Sequence, residues 1–181
     1  MEYLLGLDVE TTGLDEKKGK ILEIGCVMFH LATRSTVQQV STLFYAEENP
    51  VEHINNISVE SLKIVQDKPN YHASDLIKCL IMHADVIVAH NARFDRTWME
   101  YQPDFAEVLQ GKKWLCTRQD IRWPGMGNLK LESIACRMDI PYVGAHRALA
   151  DVNIMFECLK RLPDLDEQIY RKFPKEIDVA I

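Results

Sequence analysis

Several kinds of protein are excluded by what this chain of 181 residues has little of. Its five cysteines, Cys26, Cys79, Cys116, Cys136 and Cys158, are odd in number and form no C-x-x-C pair. That argues against a disulfide scaffold or a structural zinc site and for reduced, mostly buried thiols. With 8 glycines and 7 prolines there is no linker rich in either residue and no collagen-like repeat. No uncharged run approaches the roughly 20 residues of a membrane helix. The opening Met1-Glu2-Tyr3-Leu4-Leu5-Gly6-Leu7-Asp8 lacks the basic and long apolar segments of a signal peptide, so a cytoplasmic protein away from membranes is expected. Basic residues are also short, 21 Lys and Arg against 27 Asp and Glu for a net charge of −6. That sign speaks against a broad basic face that coats a duplex, so a nucleic-acid contact is expected to be local.

What is present is ordinary for one globular domain: 47% hydrophobic and 27% charged residues, with no internal repeat. Tyr3 to Val9 is a short, nearly continuous apolar run suited to a central strand. Ile21 to Leu31 and Ser35 to Tyr45 follow as β-branched segments around a polar Ala32-Thr33-Arg34, which reads as a meander. Ser58 or Val59 opens a helix, and Tyr71 to His83 is another, with Leu76, Ile77, Leu80 and Ile81 at helical spacing. Asp85 to Ala89 is a short buried strand, Asn91 begins a helix to about Tyr101, and Trp114 to Thr117 is one more strand. Asn128 caps a helix from Leu129 to Met138, and Arg147 to Arg161 forms a long helix after Gly144. Three strands followed by alternation of strands and helices predict an α/β fold with a mixed sheet flanked by helices.

Three places concentrate chemistry. Asp8 and Glu10 lie two apart at the end of the first strand, so the strand period puts both carboxylates on one face, where they repel unless a cation sits between them. The turn at Gly13 follows. His90-Asn91-Ala92-Arg93-Phe94-Asp95 comes directly after the buried strand, with Asp95 in the first turn of the next helix. A strand end feeding a helix start is where open α/β sheets place ligands. Gly144-Ala145-His146-Arg147-Ala148-Leu149-Ala150-Asp151 is the third. On one continuous helix, His146 and Asp151 would stand about 140° apart. Both can serve one site only if His146 sits in the loop before the helix while Asp151 points inward from it. Each place alone also has a plain reading, as solvated acids, a helix-dipole partner and a cap.

Taken jointly, Asp8-Val9-Glu10-Thr11-Thr12-Gly13-Leu14, His90 to Asp95 and His146-Arg147-Ala148-Leu149-Ala150-Asp151 resemble the three motifs of the DEDDh group of 3′→5′ exonucleases, in the superfamily of the polymerase III ε subunit and ribonuclease T. The resemblance spans Tyr3 to Leu162 and implies an exonuclease domain over residues 1–162, with 163–181 as a tail that either docks a partner or forms a short amphipathic packing helix. It implies a ribonuclease H-like fold with a five-stranded mixed sheet. It also implies two divalent ions, Mg²⁺ or Mn²⁺, about 4 Å apart. Asp8 would bridge them, Glu10 and Asp151 would complete the first ion's site, and Asp95 would support the second through water.

His146 becomes the expected general base, giving a rate that rises with pH. Thr11, Thr12 and Gly13 would offer backbone N–H groups to the terminal nucleotide, Leu14 would wedge against its base and Phe94 would pack on ribose or base. Leu14 and Phe94 are equally read as core residues. His90 and Asn91 are candidate phosphate or sugar contacts. The expected activity is hydrolysis from the 3′ end of single-stranded nucleic acid, DNA before RNA, releasing nucleoside 5′-monophosphates in replication or repair. An exoribonuclease is the alternative reading, and a non-catalytic module binding nucleic-acid ends or a polymerase is the rival from another class. The chain would act alone, as a homodimer, or with a polymerase or repair complex in trans. Relatives often carry I-H-G-I-T where this chain has Ile54-Asn55-Asn56-Ile57-Ser58, so Asn55 stands in place of a histidine near the substrate. The basic residues Arg93, Arg96, Lys112, Lys113, Arg118, Arg122 and Lys130 are read as a solvated face before a strand-steering track, and Trp98, Trp114 and Trp123 as core or rim.

Overall fold

Near-continuous burial is the rule in the central strands, whereas the edge strand β3 is mostly exposed. β1 (Tyr3–Thr11), β2 (Ile21–His30) and β3 (Ser35–Leu43) form an antiparallel meander. The short α1 (Glu52–Asn55) and α2 (Val59–Leu62), a 3₁₀ turn at Lys63–Val65 and α3 (Tyr71–His83) lead to β4 (Val86–Ala89). Next come α4 (Ala92–Glu100), α5 (Pro103–Leu109), β5 (Lys113–Cys116), α6 (Leu131–Arg137), α7 (Ala148–Lys160) and α8 (Leu165–Lys172). The computed structural model describes residues 1–67, 71–127, 129–144 and 146–174. The sheet order is β3-β2-β1-β4-β5, with β4 parallel to β1 and β5 parallel to β4. This is the five-stranded mixed sheet expected.

Residues of one parity on β1, β2 and β4, among them Leu4, Val27, Phe29, Val86 and Val88, pack with α6, α7 and α8. Those of the other parity, including Leu5, Leu7, Val9, Cys26 and Ile87, pack with α3, α4 and α5. Both faces of the central strands are covered, which accounts for their near-continuous apolar sequence. Trp98, Trp114 and Trp123 are all buried in these clusters. The five cysteines are unpaired; Cys26, Cys116 and Cys158 are buried, whereas Cys79 and Cys136 are exposed.

α7 crosses β1 and β2 at close range because two glycines face it. A Cβ on Gly25 would lie 2.3 Å from the Leu149 amide nitrogen, and one on Gly6 would lie 2.4 Å from Phe156 Cε2. α8 adds the fully buried Leu165 and Ile169 to the first core cluster and is clasped by the Lys172–Asp120 ion pair and by the Tyr170 hydroxyl donating to the Met1 carbonyl. Asn128, expected as a cap, lies outside the described residues, and its helix begins at Leu131. α5 is not among the expected elements; Pro103 at its first turn supplies the preset φ of a helix start. Among the described residues no helix is long and apolar enough to cross a membrane.

Candidate active site

β1 runs on past its pairing with β4, which stops at Gly6 opposite Val88. The strand end beyond that point forms the floor of a cavity of about 480 Å³, lined by Asp8, Glu10, Asp95, His146 and Asp151 among others. Asp8 and Glu10 face α7, whose first turn carries Asp151. Ligand oxygens of Asp8, Glu10 and Asp151 all lie within 4.8 Å of one another. Asp95 arrives from the opposite helical layer on α4 and is 2% exposed. Its Oδ1 accepts the Val9 N–H at 3.2 Å, closing a donor that the divergence of β4 leaves open.

Crowding four acids together carries an electrostatic cost. Burial pushes Asp8 well up, and the charges of Asp95, Glu10 and Asp151 add to it. Burial and then Asp151, Glu23 and Asp95 raise Glu10 to about 8, against the opposing pull of Arg147. Asp151 is raised to about 6 by burial, held back by the charge and backbone amide of His146. Burial raises Asp95 too, against the Val9 N–H bond. One oxygen of Asp151, Oδ1, is buried without a hydrogen-bond partner among the described residues. An orphaned carboxylate oxygen beside two others at this spacing fits a hard divalent cation with oxygen ligands.

His146 lies in the loop before α7, exposed and with a left-handed φ of 61°, after Gly144 at φ 72°. Arg147 occupies the N-cap position, so the chain turns sharply between the histidine and the helix. Both His146 and Asp151 thereby reach the cavity despite their opposed helical phases.

The expected nucleotide contacts divide. Asn91 and Phe94 line the cavity, with Phe94 half-buried and tilted against Trp98. Leu14 is 86% exposed, which removes it from the core, and it stands outside the cavity lining. Thr11, Thr12 and Gly13 also fall outside that lining. A correction applies to Thr12. Its N–H donates to the Lys20 carbonyl at 3.0 Å and its hydroxyl accepts the Lys20 N–H at 2.9 Å, so pairing with the neighbouring chain consumes the amide expected to meet substrate. His90 lines the cavity but is held from both sides. The Leu129 carbonyl, 2.8 Å from Nε2, can only accept, so Nε2 carries the proton and Nδ1 accepts from the Thr117 hydroxyl at 2.9 Å. The imidazole lines the cavity with both nitrogens committed to protein.

Asn55 is 1% exposed. Its amide donates to the Thr11 carbonyl and accepts from Asn49 Nδ2 and the Ile57 N–H, bracing the end of β1 from behind. Of the seven cations weighed above, Arg118 and Lys130 border the cavity. Arg96 pairs with Glu100, and Lys112 caps carbonyls of Met82 and Ala84. Tyr142, Glu132 and Glu23 are site features that sequence reasoning missed. Tyr142 lines the cavity, and burial with the Asp151 and Glu132 charges holds its phenol protonated.

A sheet of this order with a carboxylate cluster at the end of its first strand defines a class of acid-rich α/β hydrolytic site. The comparisons agree. Residues 5–159 match the RNase_T family, described as exonuclease, and the chain belongs to that family. It is 26% identical over 167 residues to the DNA polymerase III subunit epsilon of Treponema pallidum, covering 83% of this chain and 71% of that protein. Exonuclease X in complex with 5′-overhanging duplex DNA superposes with a TM-score of 0.63 at 26% identity, covering 93% of this chain and 92% of that one. Zinc-bound E. coli exonuclease I with single-stranded DNA superposes at 0.73 with 15% identity, a likeness of fold, and the chain spans only 43% of its length.

Proposed function

We propose that this protein is a metal-dependent 3′→5′ exonuclease that releases nucleoside 5′-monophosphates from the 3′ end of single-stranded nucleic acid, DNA in preference to RNA. The observation that carries this reading is the Asp8, Glu10 and Asp151 cluster with its unpartnered Asp151 oxygen. Asp8, Glu10 and Asp151 would hold one ion, with Asp8 and Asp95 serving a second. Such ions, Mg²⁺ or Mn²⁺, supply an acidified water and charge neutralisation at the leaving 3′-oxygen. The chain's own residues do the rest. His146, exposed at the cavity rim, would accept the proton of the attacking water on its ring. Asp95 is fixed by the Val9 N–H before any substrate arrives. Arg118 and Lys130 line the cavity and would meet backbone phosphates as cations, and Tyr142, also in the lining, would offer a hydroxyl donor. Phe94 and Leu14 would hold the terminal nucleoside by sequence-tolerant stacking and wedging. Positioning and charge stabilisation account for the acceleration of such a phosphoryl transfer.

Residues 1–162 would form the catalytic unit, with α8 bracing it. The resemblance to a polymerase III subunit supports action beside a polymerase in trans, and the five unpaired thiols support a cytoplasmic setting. The test is digestion of 5′-labelled single-stranded DNA and RNA with Mg²⁺, Mn²⁺ or EDTA. A ladder shortening from the 3′ end, faster on DNA and abolished by EDTA and by Asp8→Ala, is expected. Internal cleavage or metal-independent hydrolysis would overturn the proposal, and faster shortening of RNA would reassign the substrate.

A further inference from the structure

Glu23 is a charged residue that the reaction above does not use, although it stands directly across from Glu10 in the β1–β2 register. It is 2% exposed, and four donors converge on it. Arg147 Nε reaches Oε2 at 2.8 Å and Arg147 Nη2 reaches Oε1 at 3.1 Å, a two-pronged contact. The Ser41 hydroxyl donates to Oε1 at 2.6 Å, and the Ala148 backbone N–H donates to Oε2 at 3.2 Å. A carboxylate offers about four acceptor positions, so Glu23 has little left for a metal ion. Like charges directly across two strands repel. Arg147 sits between them electrostatically, pulled on by both Glu23 and Glu10.

Besides Ser41 on β3, the residues held by Glu23 are the two that immediately follow His146. His146 has a left-handed backbone, uncommon for a residue other than glycine and of a kind found where the surrounding structure holds it. Grip on the Arg147 side chain and on the Ala148 main chain fixes where the loop ends and α7 begins. That point sets the imidazole on one side and Asp151, three residues further, on the other. We infer that Glu23 and Arg147 are positioning residues, a β2-to-loop clamp that holds the histidine-bearing turn and the first turn of α7 in working register over the acidic cluster. The inference rests on the exonuclease reading for its kinetic consequence, but not for its structural one.

Arg147→Ala, Arg147→Lys and Glu23→Gln are to be compared with wild type by steady-state kinetics in saturating Mn²⁺, thermal melting and amide hydrogen exchange across residues 142–152. Loss of the hold should lower kcat by at least ~10-fold with KM within about twofold, because the base is misplaced while nucleotide contacts persist. Arg147→Lys should fail to restore kcat, since a lysine keeps the charge but not the planar fork. Exchange should quicken at the Ala148 amide in all three. Arg147→Lys keeps a cation beside the buried Glu23 carboxylate where Arg147→Ala leaves it unpaired, so the lysine variant keeps the test open if the others do not fold, and melting identifies which do. A kcat within about twofold of wild type in Arg147→Ala, or full activity in Arg147→Lys, overturns the clamp. So does unchanged exchange at Ala148. If the wild-type protein digests no nucleic acid, the exonuclease reading fails by itself, and the exchange measurement still decides the clamp.

Discussion

Replacing Gly25 with alanine should damage the site more than its conservative chemistry suggests. The new Cβ would stand 2.3 Å from the Leu149 nitrogen and 2.5 Å from the Ala148 carbonyl carbon, both backbone atoms in the first turn of α7. No rotamer change relieves that contact. Ordinary contact needs about 3.5 Å, so the helix must retreat by roughly 1 Å. Gly25 pairs with Asp8 across the sheet, and the displaced turn carries Asp151 and follows His146, so the retreat opens the carboxylate cluster itself. Overpacking of this kind costs about 1–3 kcal/mol, or roughly 2–12 °C in Tm for a domain of this size. A ~1 Å misplacement of reacting groups costs about 100-fold in rate.

Gly6→Ala is the comparison. Its Cβ meets the side-chain atoms Phe156 Cε2 at 2.4 Å and Val152 Cγ1 at 2.5 Å, which can shift within the core. It should lose comparable stability but much less activity. Gly127→Ala, with nothing within 4 Å of its Cβ, should lose neither. Specific activity on labelled single-stranded DNA is to be measured well below every Tm. Activity of Gly25→Ala within about twofold of wild type, or a larger activity loss in Gly6→Ala, would refute the idea that close α7 packing sets the cluster.

Metal-free protein should lose stability as pH rises. Glu10 and Asp151, raised to about 8 and about 6, have folded-state pKa values above their unfolded ones, so their contribution is complete only below about pH 4 and is lost as pH climbs through 6 to 8. Mn²⁺ at a hundredfold excess over Kd should restore about 2.7 kcal/mol, roughly 5–10 °C. Melting curves with EDTA or Mn²⁺ should show that gain growing from pH 5 to 8.5, and a flat gain contradicts the metal assignment. Asn55→Ala should cost about 1–3 kcal/mol in urea unfolding, because it removes the side-chain partner of the Ile57 N–H and of the Thr11 carbonyl and one of two bonds from Asn49 Nδ2; an unchanged midpoint would show that the brace is idle. Leu14→Ala should leave stability within about 0.5 kcal/mol, since the side chain is 86% exposed. It should raise KM, and unchanged kinetics would remove the wedge role.

Which parts of this site could be read from the chain depends on the range of the interaction involved. The period of a strand puts Asp8 and Glu10 on one face, and helical phase forces His146 into the loop; both follow from residues within five positions of each other, and the structure places them so. The meander and the buried β4 are legible for the same reason, because burial on both faces writes itself into consecutive residues. α5 has a local signal of the same kind in Gln102-Pro103-Asp104 at its start. What was not legible is whether a polar group is free or already spent. His90 looks available until Thr117 and Leu129, 27 and 39 positions away, take its two nitrogens. Glu23 looks like a blemish in an apolar strand until Arg147, 124 positions away, arrives to pair with it. Asn55, a departure from the usual histidine, proves to be a brace for Thr11 across 44 positions. Local pattern thus nominates the acids that need a cation, because their repulsion is built in by spacing. Sheet register and helix docking decide which of the remaining polar groups face the cavity with a lone pair or proton to give: of the expected nucleotide contacts, His90, Asn91 and Phe94 line its wall beside the acids and His146, and His90 does so with both ring nitrogens already taken.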